Sequence, residues 1–339
     1  MNRPVLLLSS PPLHTPAFPT SSPEQEDVRP EPLEEAHAQI LRRYPKMRSF
    51  LVVRHGRLIY ERYYNEAEPG TLHDLRSATK SITSTLAGIA VSRRELPGLD
   101  EPLMPYLRDY ARNVTAPLLE EVLTLRRLLT MSTGFRWQTG KTLGEPLIHR
   151  FHRSRAWTSF ALSLPIDAHM AGVFQYRSID SHLISVLISE CCGTDAYSYA
   201  RQHLFGPLGI EYAAWSSSPE CHTMGHIGLY LTARDMAKFG LCCLNKGLWQ
   251  NRPVIPEAWL EQALTRQLDG YPAFGDYGYQ WWTGRMCGQP FSCAHGHGGQ
   301  QIYLFPELDA VVVFTADSKV SRWRNPRSLL QQHILGSME

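Results

Sequence analysis

Strand-forming sequence lies at the two ends of this 339-residue chain, and helix-forming sequence fills the space between. Near the N-terminus, SFLVVRHGRLIYERYYN sets two β-branched and aromatic runs on either side of His55-Gly56, a short hairpin signal. In the last third, YGYQWWT and QQIYLFPELDAVVVFTAD have the same character. The second is predicted to form strands over 300–305 and 310–315, joined by a turn from Pro306 to Asp309. Between these ends the chain reads as helix. TLRRLLTMSTGF is a short amphipathic helix closed by Gly134, and DSHLISVLISECCG, AYSYARQHLFGPLG and TARDMAKFGLCCLNKG each end in glycine, as helix C-caps often do. Further helices are predicted over 33–45, ending at Pro45, from about Ser77 to Arg93, and in RNPRSLLQQHILG. The economical solution is an α+β fold. The N-terminal hairpin joins the C-terminal strands in one antiparallel sheet, helices flank it, and the block over about 103–250 forms a helical lobe inserted between the sheet halves. A cleft between lobes is the expected place for a site.

The fold is expected to occupy 33–339 as a single domain. Eight of the 24 prolines fall in the first 32 residues, and proline fixes φ and removes a donor. Residues 1–32 are therefore predicted to be an extended, poorly ordered arm. Its apolar run, Val5 to Leu8, is shorter than the core of a secretory signal, and no apolar run approaches the ~20 residues of a membrane helix. Lys plus Arg is 34 and Asp plus Glu is 32, a balance that leaves no electrostatic footprint for nucleic acid or an anionic membrane. The seven cysteines, two pairs of them adjacent in sequence, read as free thiols of a reducing, cytoplasmic compartment. Cys221-His222 with His226, and His295 with His297, come nearest to a metal pattern. Neither has a third and fourth ligand at a recognisable spacing, so no metal or cofactor is expected.

The chemistry is concentrated at the head of one helix. The chain has six lysines, and only Lys80 follows a serine, Ser77, by three residues. Residues i and i+3 share a helical face, so Lys80 can point at the Ser77 hydroxyl. Serine is a weak nucleophile until a base takes its proton. Burial or a nearby cation lowers a lysine pKa until the amine can serve as that base. The free N–H groups of a first helical turn favour the oxyanion that attack creates. A plainer reading makes Ser77 a helix N-cap and Lys80 a solvated side chain.

Two further stretches supply candidate partners. Tyr176-Arg177-Ser178 offers a hydroxyl that could share the base role if a cation shifts it toward phenolate, with a polar side chain two residues on to hold Lys80 and the substrate amide. A core tyrosine is the alternative. AHGHGGQQIYLF places Gly296, Gly298 and Gly299 just before a strong strand. Such glycines suit an edge strand along a cleft that offers backbone N–H groups to a carbonyl. No Lys-Ser/Thr follows, so this is not a phosphate loop. Trp281, Trp282, Tyr277 and Tyr279 either line the cleft beside it or pack in the core.

Taken in order, serine-x-x-lysine, tyrosine-x-polar and a glycine-rich site before the last strands resemble the penicillin-recognising serine hydrolases. The closer similarity is to the class C β-lactamase-related branch, with its carboxypeptidase-like proteins, esterases and 6-aminohexanoate-dimer hydrolases. LTLRRLLTMSTGFRW, ARQHLFGPLGI, GLYLTARDMAKFG and YGYQWWT extend the likeness over about 35–335. The resemblance implies that Ser77 is acylated, Lys80 is its general base and Tyr176 passes the proton to the leaving group. It implies an oxyanion hole from the N–H groups of Ser77 and of the stretch Gly298, Gly299 and Gln300. Two departures matter. Ser178 stands where asparagine is frequent, and it lacks the amide's paired donor and acceptor. The third motif has two registers, one with Gly296 at the cationic position and one with His297 as the cation.

Three readings follow: a serine hydrolase of a small ester or amide, a β-lactamase or D,D-peptidase, and a binding protein that keeps the fold without catalysis. The first is favoured, with a small molecule as partner and neither nucleic acid nor membrane. The cytosolic-looking cysteines weigh against the second.

Overall fold

The computed structural model describes residues 18–112, 114, 117–140 and 143–338. Its strands are β1 (Met47–Arg54), β2 (Arg57–Tyr63), β3 (His73–Asp74), β4 (Ala214–Trp215), β5 (Leu229–Leu231), β6 (Leu248–Trp249), β7 (Arg252–Pro253), β8 (Leu268–Tyr271), β9 (Gly275–Tyr277), β10 (Trp282–Met286), β11 (Gln289–Gly296), β12 (Gln300–Phe305) and β13 (Ala310–Ala316). An eight-stranded antiparallel sheet runs β2-β1-β13-β12-β11-β10-β9-β8. The N-terminal hairpin thus pairs with the last strand, Phe50 opposite Phe314 and Val52 opposite Val312. His55 and Gly56 close that hairpin with φ of 46° and 73°, the paired left-handed backbone of a two-residue turn. Strands β3, β5 and β4 form a separate small sheet, and β6 and β7 a short ribbon.

The helices are α1 (Pro30–Arg43), α2 (Thr79–Ser92), α3 (Met104–Leu107), α4 (Pro117–Val122), α5 (Leu125–Leu129), α6 (Ile148–Arg153), α7 (Trp157–Leu162), α8 (Ser178–Cys192), α9 (Ala196–Ala200), α10 (Ala233–Leu244), α11 (Glu257–Ala263) and α12 (Arg327–Leu329). The central strands are covered on both faces, and strand alternation divides their side chains between two cores. Leu51, Val53, Ile302, Leu304, Val311 and Val313 join the core shared with α2, α8 and α10. Phe50, Val52, Tyr303, Val312 and Phe314 join Leu33, Ala36 and Ile40 of α1 and Leu330 and Ile334 from the C-terminal turns.

Helix α2 lies between sheet and lobe, buried from Thr79 to Ala90. Several of its hydroxyls are satisfied inside the protein, while Thr79 Oγ1 and Ser84 Oγ are buried without a partner. Ser81 Oγ donates to Gln280 O at 2.7 Å and Thr83 Oγ1 to Gly225 O at 2.8 Å. These bonds tie the helix that carries Lys80 to loops on both sides.

Several expectations need adjustment. Of the proline-rich arm, residues 1–17 lie outside the described residues, but 18–32 pack on the domain rather than trailing from it. Phe18 and Val28 are buried, Thr20 bridges Leu58 of β2, and α1 begins at Pro30, where the missing N–H of proline costs nothing. The segment 278–281 of YGYQWWT separates β9 from β10 instead of extending them. The glycine-rich stretch is not on an edge: β11 lies between β10 and β12. All seven cysteines are free. Among the described residues no helix is long and apolar enough to cross a membrane, and no group of three or more His, Cys, Asp or Glu side chains is placed to hold a metal ion.

Candidate active site

Ser77 sits in a single 3-10 turn, Arg76–Ala78, that leads into α2. The first N–H bonded within the turn is that of Ala78, to Leu75 O at 3.1 Å, so the Ser77 N–H belongs to the free donors of a helix start. Arg76 just before it has φ of 48°, a left-handed conformation that an arginine adopts only when its surroundings hold it. They do so here: the Arg76 N–H donates to Asp74 Oδ1 at 2.9 Å, and its guanidinium reaches Asp74 Oδ2 and Ser318 O at 3.1 and 2.8 Å.

Lys80 Nζ lies 3.0 Å from Ser77 Oγ and donates to His226 O, also at 3.0 Å. The side chain is 2% exposed, so it is not a solvated surface lysine, and Ser77 caps no helix with its side chain. Burial lowers the Lys80 pKa from 10.5 to about 8, with Glu145 opposing the shift. The amine is thereby brought into the range where a base accepts a proton near neutral pH.

Tyr176 is buried, with its ring 5.1 Å from Lys80 Nζ, stacked on Trp282 at a centroid distance of 6.0 Å. It lines the same cavity as Ser77. Burial, reinforced by the Glu145 charge, pushes its pKa well above the ordinary 10. The expected drift toward phenolate is therefore reversed: Tyr176 is held as a neutral phenol.

The residue between Tyr176 and Ser178 does more than space them. Arg177 is fully buried, pairs with Asp180 at 3.2 Å and donates to Met131 O at 2.7 Å. This pins the start of α8 to the loop after α5 and so fixes where Tyr176 points.

Ser178 is not where sequence reasoning put it. Its hydroxyl donates to Glu145 Oε2 at 2.6 Å and its N–H to Glu145 Oε1 at 2.7 Å, which also accepts from Trp137 Nε1 at 2.7 Å. The acceptors of Lys80 are Ser77 and His226 instead. A serine is too short to reach across to the lysine, and a carboxylate is a stronger acceptor than a neutral group. Glu145 was missed because it precedes Ser178 by 33 residues, at no diagnostic spacing.

The third motif resolves differently from either register. A Cβ on Gly296 would lie 2.2 Å from Leu75 O and 3.2 Å from Ala78 N, so the end of β11 abuts the turn that carries Ser77. His297, the next residue, lines the same cavity as Ser77. Gly298 and Gly299 face a separate groove beside Tyr44 and Trp323, and Gln300 is buried with its Nε2 on Ala316 O at 2.6 Å. None of Gly298, Gly299 and Gln300 lines the cavity in front of Ser77. His297 places its Nε2 2.7 Å from Val320 O, so its ring is committed to a neighbouring loop. His295 lines the cavity, with Nδ1 accepting from Gln301 Nε2 at 2.9 Å, and burial lowers its pKa to about 4. It is a neutral ring near pH 7, and no buried cation stands at this motif.

The cavity in front of Ser77 has a volume of about 510 Å³, and Leu143, Phe274 and Trp323 give it an apolar wall with Tyr176, His295, Asn325 and Arg322 as polar points. Trp281 and Trp282 support it from the core: Trp281 is fully buried on Phe239, and Trp282 lies behind Tyr176 and Phe274. Tyr277 and Tyr279 are buried as well.

Comparison with known proteins bears on this arrangement. The Beta-lactamase family model matches residues 39–332. The chain belongs to the beta-lactamase family. It is a serine hydrolase of that family. It is 25% identical over 300 residues to the 6-aminohexanoate-dimer hydrolase of Paenarthrobacter ureafaciens, covering 82% of this chain and 73% of that one. A Bacillus anthracis structure provisionally described as a 6-aminohexanoate-dimer hydrolase superposes with a TM-score of 0.75 at 21% identity, over 95% of this chain and 87% of that one. A D-stereospecific amidohydrolase from Streptomyces sp. gives 0.68 at 14% identity, over 90% and 98%. At such identities the two structural likenesses speak to the fold.

Proposed function

We propose that this family member cleaves a small ester or linear amide through an acyl-enzyme on Ser77. The observation that carries the reading is the buried Lys80 amine, 3.0 Å from Ser77 Oγ, with its pKa lowered to about 8. Neutral Lys80 takes the Ser77 proton as Oγ attacks the substrate carbonyl. The N–H groups of Ser77 and His297 flank the oxyanion that forms. Tyr176, kept protonated by its surroundings, passes its hydroxyl proton to the leaving oxygen or nitrogen and is reprotonated from the Lys80 ammonium. Water then attacks the acyl-enzyme by the reverse proton path, releasing the acid and restoring Ser77.

Two features favour a simple ester or amide over a β-lactam. The hydroxyl of Ser178 is bound to Glu145, so no side chain of the second motif is free to grip a substrate amide. The third motif has a neutral His295 in place of a cation that would hold a carboxylate, and the arginine that lines the cavity, Arg322, stands outside the motif. The similarity to a 6-aminohexanoate-dimer hydrolase supports amides as the first substrates to try. The test is a kinetic panel of p-nitrophenyl esters, linear amides of aminoalkanoic acids, and nitrocefin. Turnover of an ester or amide, abolished in Ser77→Ala, is expected. Nitrocefin as the one good substrate would move the assignment to a β-lactamase, and full activity in Ser77→Ala would end it.

A further inference from the structure

Behind Lys80, on the side away from the substrate cavity, lies a cluster of three histidines that the proposed chemistry does not use. His226 supplies the carbonyl that accepts from Lys80 Nζ. Its own ring is fully buried, with centroid distances of 5.6 Å to Phe151, 5.8 Å to Trp157, 5.8 Å to His182 and 5.2 Å to His152. One hydrogen bond stands out in this aromatic cage: His226 Nε2 lies 2.9 Å from His152 Nε2 on α6.

Two imidazole nitrogens at that distance share one proton, so the rings must be opposite tautomers. Burial decides which. His226 Nδ1 is buried without a partner, whereas His152 is only half-buried. If His226 accepted the bond, its proton would sit on Nδ1 as an unpaired buried donor. If His226 donates from Nε2–H, only a bare lone pair is left inside, and His152 carries its proton on Nδ1. The second arrangement avoids the unpaired buried donor. It requires His152 to be neutral, because a proton on His152 Nε2 would set two N–H groups against each other.

The surroundings hold His152 neutral. The charged or titratable groups that act on the pair are His149 on α6, Arg76 and Lys80 from the turn and helix of the nucleophile, and His182 on α8, with His222 acting on His182. Burial is the largest influence, and it brings the His152 pKa down to about 4. Both rings are thus uncharged wherever Lys80 works as a base.

We propose that the His152–His226 pair is a positioning device for the catalytic lysine: it fixes the loop whose carbonyl, with Ser77 Oγ, aims Lys80. Helix α6 thereby holds the base in place, while the segment just before it carries the Glu145 that holds Ser178. The inference rests on the hydrolase reading of Ser77 and Lys80. His152 touches neither substrate nor nucleophile, so its role runs through Lys80 alone.

The test follows the second-order rate of fluorophosphonate labelling of Ser77 from pH 6 to 10 in wild type, His152→Leu and His152→Gln. Wild type should label with a midpoint near 8. His152→Leu removes the acceptor, and a misaimed base should lower the plateau about 100-fold. Its midpoint should fall, because the Lys80 ammonium loses a fixed acceptor. His152→Gln restores an acceptor oxygen and should recover most of the rate. A His152→Leu protein that labels with the wild-type midpoint overturns the proposal, even if it is less stable. Wild type that does not label at all sinks the hydrolase reading instead, which keeps the two failures apart. Should His152→Leu not fold, the nitrogen-15 histidine spectrum of wild type decides: Nε2–H on His226 with Nδ1–H on His152 supports the pair, and any other combination overturns it.

Discussion

A lysine buried as deeply as Lys80 is costly to the fold, and the cost can be calculated. Burial lowers its pKa from 10.5 to about 8, which at 1.36 kcal/mol per pH unit corresponds to about 3 kcal/mol against folding while the amine is charged. The sign is fixed by proton uptake: between those two values the unfolded chain binds more protons, so stability rises with pH. The penalty is complete below pH 8 and gone above pH 10.5. Lys80→Met keeps the length of the side chain and removes the charge. Against the gain stand two lost hydrogen bonds, to Ser77 Oγ and His226 O, together worth about 1–3 kcal/mol. The variant should therefore be inactive yet more stable than wild type at pH 7 by up to about 2 kcal/mol, an advantage that shrinks toward pH 10. Urea unfolding of both proteins at pH 7, 8.5 and 10 measures it. A variant less stable than wild type at pH 7, or a difference that does not change with pH, would refute the reasoning.

Three further outcomes are expected. With the Lys80 pKa at about 8, the rate of ester hydrolysis should rise roughly tenfold from pH 7 to pH 9, and a profile flat over that range would exclude Lys80 as the base. Gly296→Ala puts a methyl 2.2 Å from Leu75 O and should displace the turn carrying Ser77. Its kcat is expected to fall about 100-fold while the protein stays folded by circular dichroism. Arg177→Met leaves Asp180 as an uncompensated buried carboxylate and should destabilise the protein by about 3–5 kcal/mol, read from its urea midpoint.

The parts of the site that were legible in the sequence are those set by local geometry. A serine and lysine three apart at a helix start meet because one helical turn brings them together, and the structure finds them 3.0 Å apart. The pairing of β1 with β13 was equally readable, since two β-rich ends separated by helices have few other ways to satisfy their edges. What could not be read depends on loops that meet only in space. Ser178 turns to Glu145 because the segment after α5 happens to pass that side of α8. Tyr176 is buried among Trp282 and Lys80, and that burial reverses the pKa direction a nearby cation alone would give. His226 was noticed for a metal pattern with Cys221 and His222, yet its partner is His152, 74 residues upstream. The glycine-rich stretch pointed to the right wall of the cleft, where His295 and His297 line the cavity and Gly298, Gly299 and Gln300 do not. Close approach is made by Gly296, and the backbone beyond it turns toward a different groove.

The central claim is that Ser77 is an activated nucleophile. Intact-protein mass spectrometry after incubation with a fluorophosphonate, followed by peptide mapping and run beside Ser77→Ala, addresses it most directly. One adduct on Ser77 in wild type and none in the variant is the predicted result. A folded wild-type protein that takes up no probe, or an adduct that persists in Ser77→Ala, would contradict it.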